Sequence, residues 1–113
     1  MTIQNTLVLQ HAFLEQMYND AYFPNHLVDQ VKDILLKLCG QIETEQPQDL
    51  DSLYALTHQA TEKINDLQEA FDEENSEIET VARESIAEEF DFIAEAYNFK
   101  DADIEELIAP RDW

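Results

Sequence analysis

One glycine, one cysteine, three prolines and six basic side chains are all that this 113-residue chain holds of those residues. Each scarcity excludes something. With Gly40 alone, no glycine-rich loop can cradle a phosphate and no Gly-x-Ser-x-Gly elbow can present a nucleophilic serine. With Cys39 alone, no internal disulfide and no Cys/His cluster can form, so a reducing compartment is expected. Cys39 stands between Leu38 and Gly40 in an apolar stretch and reads as core packing rather than as a nucleophile. The N-terminus lacks the basic start and apolar run of a signal peptide, and no stretch approaches the ~20 apolar residues of a membrane span. A cytoplasmic protein is expected.

What the chain has in excess is negative charge. Twenty-six Asp and Glu against six Lys and Arg leave a formal net charge of −20. Such a surface repels nucleic acid and anionic lipid and attracts basic proteins and cations. The charge does not imply disorder, because 44% of residues are apolar and they recur at regular spacing among the acids. One folded domain over residues 1–113 is expected.

Pro24, Pro47 and Pro110 cut the chain into lengths that suit helices. Leu7, His11, Leu14, Met17 and Tyr18 predict a first helix from about Thr6 to Asn19, capped by Thr6 or Asn5. Pro24 suits the first turn of a second helix, whose stripe of Leu27, Val31, Ile34, Leu35, Leu38 and Ile42 carries it past Gly40 to about Glu43. Asp49 caps a third, with Leu50, Leu53, Thr57, Ala60, Ile64, Leu67 and Phe71 on its apolar face and an end near Asn75. Ser76 and Glu79 have capping-box spacing at the head of a fourth, with Ile78, Val81, Ala82, Ile86, Phe90, Ile93 and Tyr97 facing inward. A short fifth spans Ile104 to Ile108. The expected fold is all-α, a compact bundle of four main antiparallel helices plus a short C-terminal helix, since short links force neighbours to run antiparallel.

The charge is uneven. Through Leu56 there are eight acids and two lysines, net −6; from Thr57 onward eighteen acids and four bases leave −14. On the fourth helix Glu77, Glu84, Glu88, Asp91 and Glu95 fall opposite the core and form a carboxylate ridge. Like charges at this spacing cost a few tenths of a kcal/mol each unless a cation or partner offsets them. The ridge reads either as a solvated face or as a docking surface for a basic partner. Glu89 differs: it falls on the apolar arc between Ser85 and Ile93, where a carboxylate needs a partner. His11 on the first helix is one candidate, a tyrosine hydroxyl another; a satisfied polar pair is the plain reading, an acid–base or metal site the sharper one.

Metal signatures do not fit. His11 with Glu15 and His58 with Glu62 have His-x-x-x-Glu spacing, but neither makes the Glu-x-x-His pair of di-iron bundles. Asp101, Asp103 and Glu105 alternate like calcium ligands, yet Glu106 stands where the turn glycine belongs, so Asp101 or Asp103 reads as a helix cap. No metal and no cofactor is expected. Tyr22 and Phe23 at a helical corner, and Trp113 at the end, read as rings packed on the bundle.

The order of segments carries a resemblance. Tyr22-Phe23-Pro24, Leu53-Tyr54-Ala55-Leu56-Thr57-His58, Ser76-Glu77-Ile78-Glu79-Thr80, Ala87-Glu88-Glu89-Phe90 and Ile104-Glu105-Glu106-Leu107-Ile108 through Arg111-Asp112-Trp113 together resemble a family of small acidic bacterial proteins catalogued as a domain of unknown function. The resemblance runs from about Phe13 to Trp113, implies one domain of bacterial origin, and implies no activity or site residues. The leading expectation is a non-enzymatic interaction protein whose carboxylate face occludes a basic partner, as an immunity protein or a nucleic-acid mimic would. The alternative is a metal-binding or enzymatic bundle using His11 and Glu89 in its interior.

Overall fold

The computed structural model describes residues 3–113. Its helices are α1 (Thr6–Gln10), α2 (Glu15–Tyr18), α3 (Asn25–Glu45), α4 (Leu50–Asn65), α5 (Gln68–Glu73), α6 (Thr80–Ala96) and α7 (Ile104–Leu107), and the described residues contain no strand. The fold is all-α. Long helices α3, α4 and α6 supply most of the core; α3 lies along α4, while α6 packs against α1, α2, α3 and α7. The radius of gyration, 13.5 Å, matches the roughly 13 Å expected of one folded body of this length. Buried side chains form one cluster, with Phe23, Phe71, Phe90, Leu35, Leu53 and Ile64 almost wholly enclosed.

The second expected helix forms nearly as its stripe predicts. Pro24 takes the N-cap position, its carbonyl accepting from the Leu27 and Val28 amides, and α3 runs through Gly40 to Glu45. Gly40 is buried and no glycine here has positive φ, so close packing rather than backbone freedom explains it. Asp49 caps α4 as expected, its Oδ1 accepting from the Ser52 amide at 2.8 Å.

Three expectations are corrected. The helix predicted over Thr6–Asn19 is broken into α1 and α2, because Leu14 adopts a left-handed backbone with φ of 57°. The register of α1 also differs: Val8 is buried, whereas Leu7 is 58% exposed. The third helix breaks at Asp66 and Leu67, where the Leu67 amide reaches only three residues back to Ile64. The capping box at Ser76 does not form, and α6 begins at Thr80 with Glu79 as its N-cap. Ser76 is instead used by the helix before it: with Asn75 left-handed, the Asn75 amide bonds the Asp72 carbonyl and the Ser76 amide bonds the Phe71 carbonyl. That closure occupies the position a capping serine would need, and Val81, in the first turn of the shortened helix, is exposed rather than in the core.

The same closure ends α6. Asn98, with φ of 69°, sends its amide to the Glu95 carbonyl while the Phe99 amide returns to Ala94 at 2.8 Å. Glycine ordinarily fills this place; in a chain with one glycine, asparagine does so at both ends. Asn98→Ala should therefore lose about 1 kcal/mol of unfolding free energy, and Asn98→Gly none, because alanine has neither glycine's freedom nor asparagine's local hydrogen bonds in that region. Urea unfolding of both variants measures this; equal stability of the alanine and glycine forms would contradict it.

Candidate functional site

The break between α1 and α2 lies against α6. Glu89 is buried, at 6% exposure, and both of its oxygens are taken: Oε1 lies 2.6 Å from His11 Nε2, and Oε2 accepts the Leu14 amide at 2.5 Å. With Glu89 ionised, His11 Nε2 carries the proton and donates. His11 caps the end of α1 in extended conformation, its ring stacked on Phe92 at 3.8 Å and edge-on to Phe13 at 4.6 Å. Left-handed backbone costs a non-glycine residue about 1–2 kcal/mol. The Leu14 side chain is fully enclosed in the core, and its amide finds a charged acceptor, so burial and a charge-assisted bond offset that cost.

A cleft of about 350 Å³ opens beside this pair. On α6, Ser85, Glu88, Glu89 and Phe92 share one face at spacings of three and four and form one wall. Glu15, Gln16 and Asn19 form the other, with His11 between the walls. No lysine or arginine lines it.

The ridge is reduced in the structure. Glu84, Glu88 and Glu95 are exposed along α6 and Asp91 is half-buried on the same side, but Glu77 precedes the helix and lines a separate cavity with Trp113. Among the described residues Arg111 pairs with Glu105 at 3.7 Å, and the His11 and His26 rings meet Glu89 and Glu74 in contacts that are ion pairs only when the imidazole is protonated. None involves Glu84, Glu88, Asp91 or Glu95.

A family model described as a family of unknown function, DUF5713, matches residues 7–113. The chain belongs to that family. No curated protein and no solved structure matches it.

Two polar systems escape a reading of the sequence. Glu43 on α3 accepts the Gln4 amide at 2.8 Å, the Asn5 amide at 3.2 Å and the Tyr97 hydroxyl at 2.5 Å, while Asn5 also caps α1 and bonds the Ala96 carbonyl. Burial alone would raise the Glu43 pKa, but the three donors outweigh it and hold the carboxyl below its usual range. Burial, and then the bond to Glu43, push the Tyr97 hydroxyl above its ordinary value. The second system lies on α4, where Tyr54, His58, Thr61 and Asn65 recur at spacings of four and three and grip the C-terminal segment. His58 Nε2 donates to the Glu106 carbonyl at 2.6 Å, the Tyr54 hydroxyl accepts the Asp103 amide, and Asn65 bonds both the Pro110 carbonyl and the Asp112 amide. Asp103 caps α7 through the Glu105 amide, and Trp113 is buried. Gln4 and Asn5 offer only backbone donors to Glu43, which leaves no signal in residue type; the α4 stripe is visible as polar residues at helical spacing.

Cys39 is fully buried, and burial pushes its thiol up to about 12, so it is protonated at neutral pH and unreactive. Among the described residues no group of three or more His, Cys, Asp or Glu is placed to hold a metal ion, and no helix is long and apolar enough to cross a membrane.

Two outcomes follow from the carboxylates. Glu89→Ala should lower unfolding free energy by about 2 kcal/mol, since the Leu14 amide loses its acceptor in a buried place; thermal unfolding at the wild-type temperature would show that Glu89 holds nothing. Glu43 has a folded pKa below its unfolded one, so its contribution is present above the unfolded value, about 4.3 for glutamate, and is lost as pH falls through the folded value. Acid also relieves the repulsion of a −20 chain, so the effect is read as a difference between proteins. Wild type should lose stability relative to Glu43→Gln below about pH 4. Parallel acid profiles would contradict the latch.

Proposed function

We propose that this protein is a non-enzymatic interaction domain whose α6 carboxylate face binds a basic partner and occludes it. The observation that carries this reading is a line of four acids, Glu84, Glu88, Asp91 and Glu95, none of which forms an ion pair among the described residues. The eleven helical rises from Glu84 to Glu95 span about 16 Å, long enough to face a basic helix or groove. Leaving like charges adjacent along a helix is unfavourable in the free protein, and a cationic partner would relieve that cost on binding. The attraction is long-ranged at low salt and is screened beyond about 8 Å at physiological ionic strength.

A cationic toxin or the binding surface of a nucleic-acid-binding protein has the required chemistry. The alternative reading, an interior acid–base or metal site at His11 and Glu89, has less support, because both Glu89 oxygens already serve the fold.

Affinity capture from native extract, at low and at physiological salt, tests the proposal with wild type and with a variant carrying Glu84→Gln, Asp91→Asn and Glu95→Gln. Wild type should retain a basic protein that is released by salt and not retained by the variant. Retention of no basic protein, or equal retention by the variant, would overturn it.

A further inference from the structure

We propose that the cleft between α2 and α6 is a binding site for a guanidinium group, the anchor point at which an arginine of the basic partner is held. The second half rests on the function proposed above; the site itself does not.

Every charged group that lines the cleft, His11 aside, is a carboxylate. Glu15 stands on one wall and Glu88 on the other; both are exposed, and neither forms an ion pair. Acidic residues alone would make only a solvated rim. Ser85 supplies a separate indication. It is 6% exposed, it lies on the cleft wall one turn before Glu89, and its hydroxyl takes part in none of the hydrogen bonds among the described residues. The side chain is more than nine-tenths buried, and its oxygen, which is not among the fully enclosed unpaired atoms, has the cleft it lines as its open side. Phe92 adds an aromatic surface, held in place by the stacked His11 ring.

These groups suit guanidinium better than ammonium. Acceptors on two facing walls are met together by a planar fork with five N–H donors, whereas a lysine presents a compact charge that gives up its water reluctantly. The weakly hydrated guanidinium also lies flat on aromatic surface. Glu89 also lines the cleft, its carboxylate held in place by His11 and the Leu14 amide. Glu88 belongs both to this cleft and to the α6 ridge, so an arginine seated here would be continuous with a basic surface along the helix.

The test is a titration of the full chain with N-acetyl-arginine methylamide, followed by amide NMR shifts, with the lysine and citrulline counterparts as comparisons. Saturable shifts should centre on His11, Ser85, Glu88 and Phe92, be several-fold weaker for the lysine compound, and be absent for citrulline, which has the shape without the charge. The double substitution Glu15→Gln and Glu88→Gln should weaken binding about tenfold, and Ser85→Ala several-fold. Shifts scattered over the acidic surface without saturation, equal binding of lysine, or unchanged binding in the double variant would overturn the site. Arginine binding in the cleft without capture of any basic protein would sustain the site and remove the interaction function; capture without cleft binding would remove the site alone.

Discussion

A buried carboxylate with both oxygens occupied sets the path of the chain through residues 10–15. Glu89 receives the His11 ring on one oxygen and the Leu14 amide on the other, and these two bonds join segments 78 and 75 residues apart. An α-helix continuing through this stretch would bond the Leu14 amide to the carbonyl four residues earlier. Glu89 takes that amide instead, so the helix stops, Leu14 turns left-handed, and α2 leaves in a new direction with Leu14 and Met17 enclosed in the core. The cleft beside α6 exists because of that turn. A carboxylate at this depth is tolerable only if fully bonded, and removing either partner would expose its desolvation cost.

The ends of the chain are held by the same kind of chemistry. Glu43 collects two N-terminal amides and the Tyr97 hydroxyl, and the polar stripe of α4 collects carbonyls and amides of the C-terminal segment. Short helices such as α1 and α7 have little stability of their own. Their caps, at Asn5 and Asp103, and these side-chain anchors give them a fixed place. Nearly all glycine's usual work at helix ends falls to Asn75, Asn98 and Gln46, each in the left-handed region.

Much of this is legible in residue order, for local reasons. The stripe of α3 and the Asp49 cap depend on neighbours within one or two turns, and both appear where spacing puts them. Glu89 as an inward carboxylate follows from Ile86, Phe90 and Ile93 around it. What is not legible depends on distant or competing contacts. The break at Leu14 is imposed by a residue on another helix, and periodicity through Leu7, His11 and Met17 runs across it unmarked. The capping-box pattern at Ser76 is genuine as a pattern, but the preceding helix claims that serine first. Latching of the N-terminal segment by Glu43 uses the backbone amides of Gln4 and Asn5, which any residue offers, beside the Tyr97 hydroxyl.

The net charge of −20 thus divides into carboxylates that build the fold, Glu43, Asp49, Glu89 and Asp103 among them, and carboxylates such as Glu84, Glu88 and Glu95 that meet solvent. The first group is what the structure rests on, and amide hydrogen exchange at Leu14 addresses it most directly. In the wild-type protein the Leu14 amide should be strongly protected. In Glu89→Ala it should exchange roughly ten- to a hundredfold faster, the equivalent of losing one hydrogen bond to a charged acceptor, once rates are corrected for global unfolding measured at Leu35 and Ile64. A Leu14 amide that exchanges freely in the wild type, or at the same corrected rate in the variant, would contradict the account.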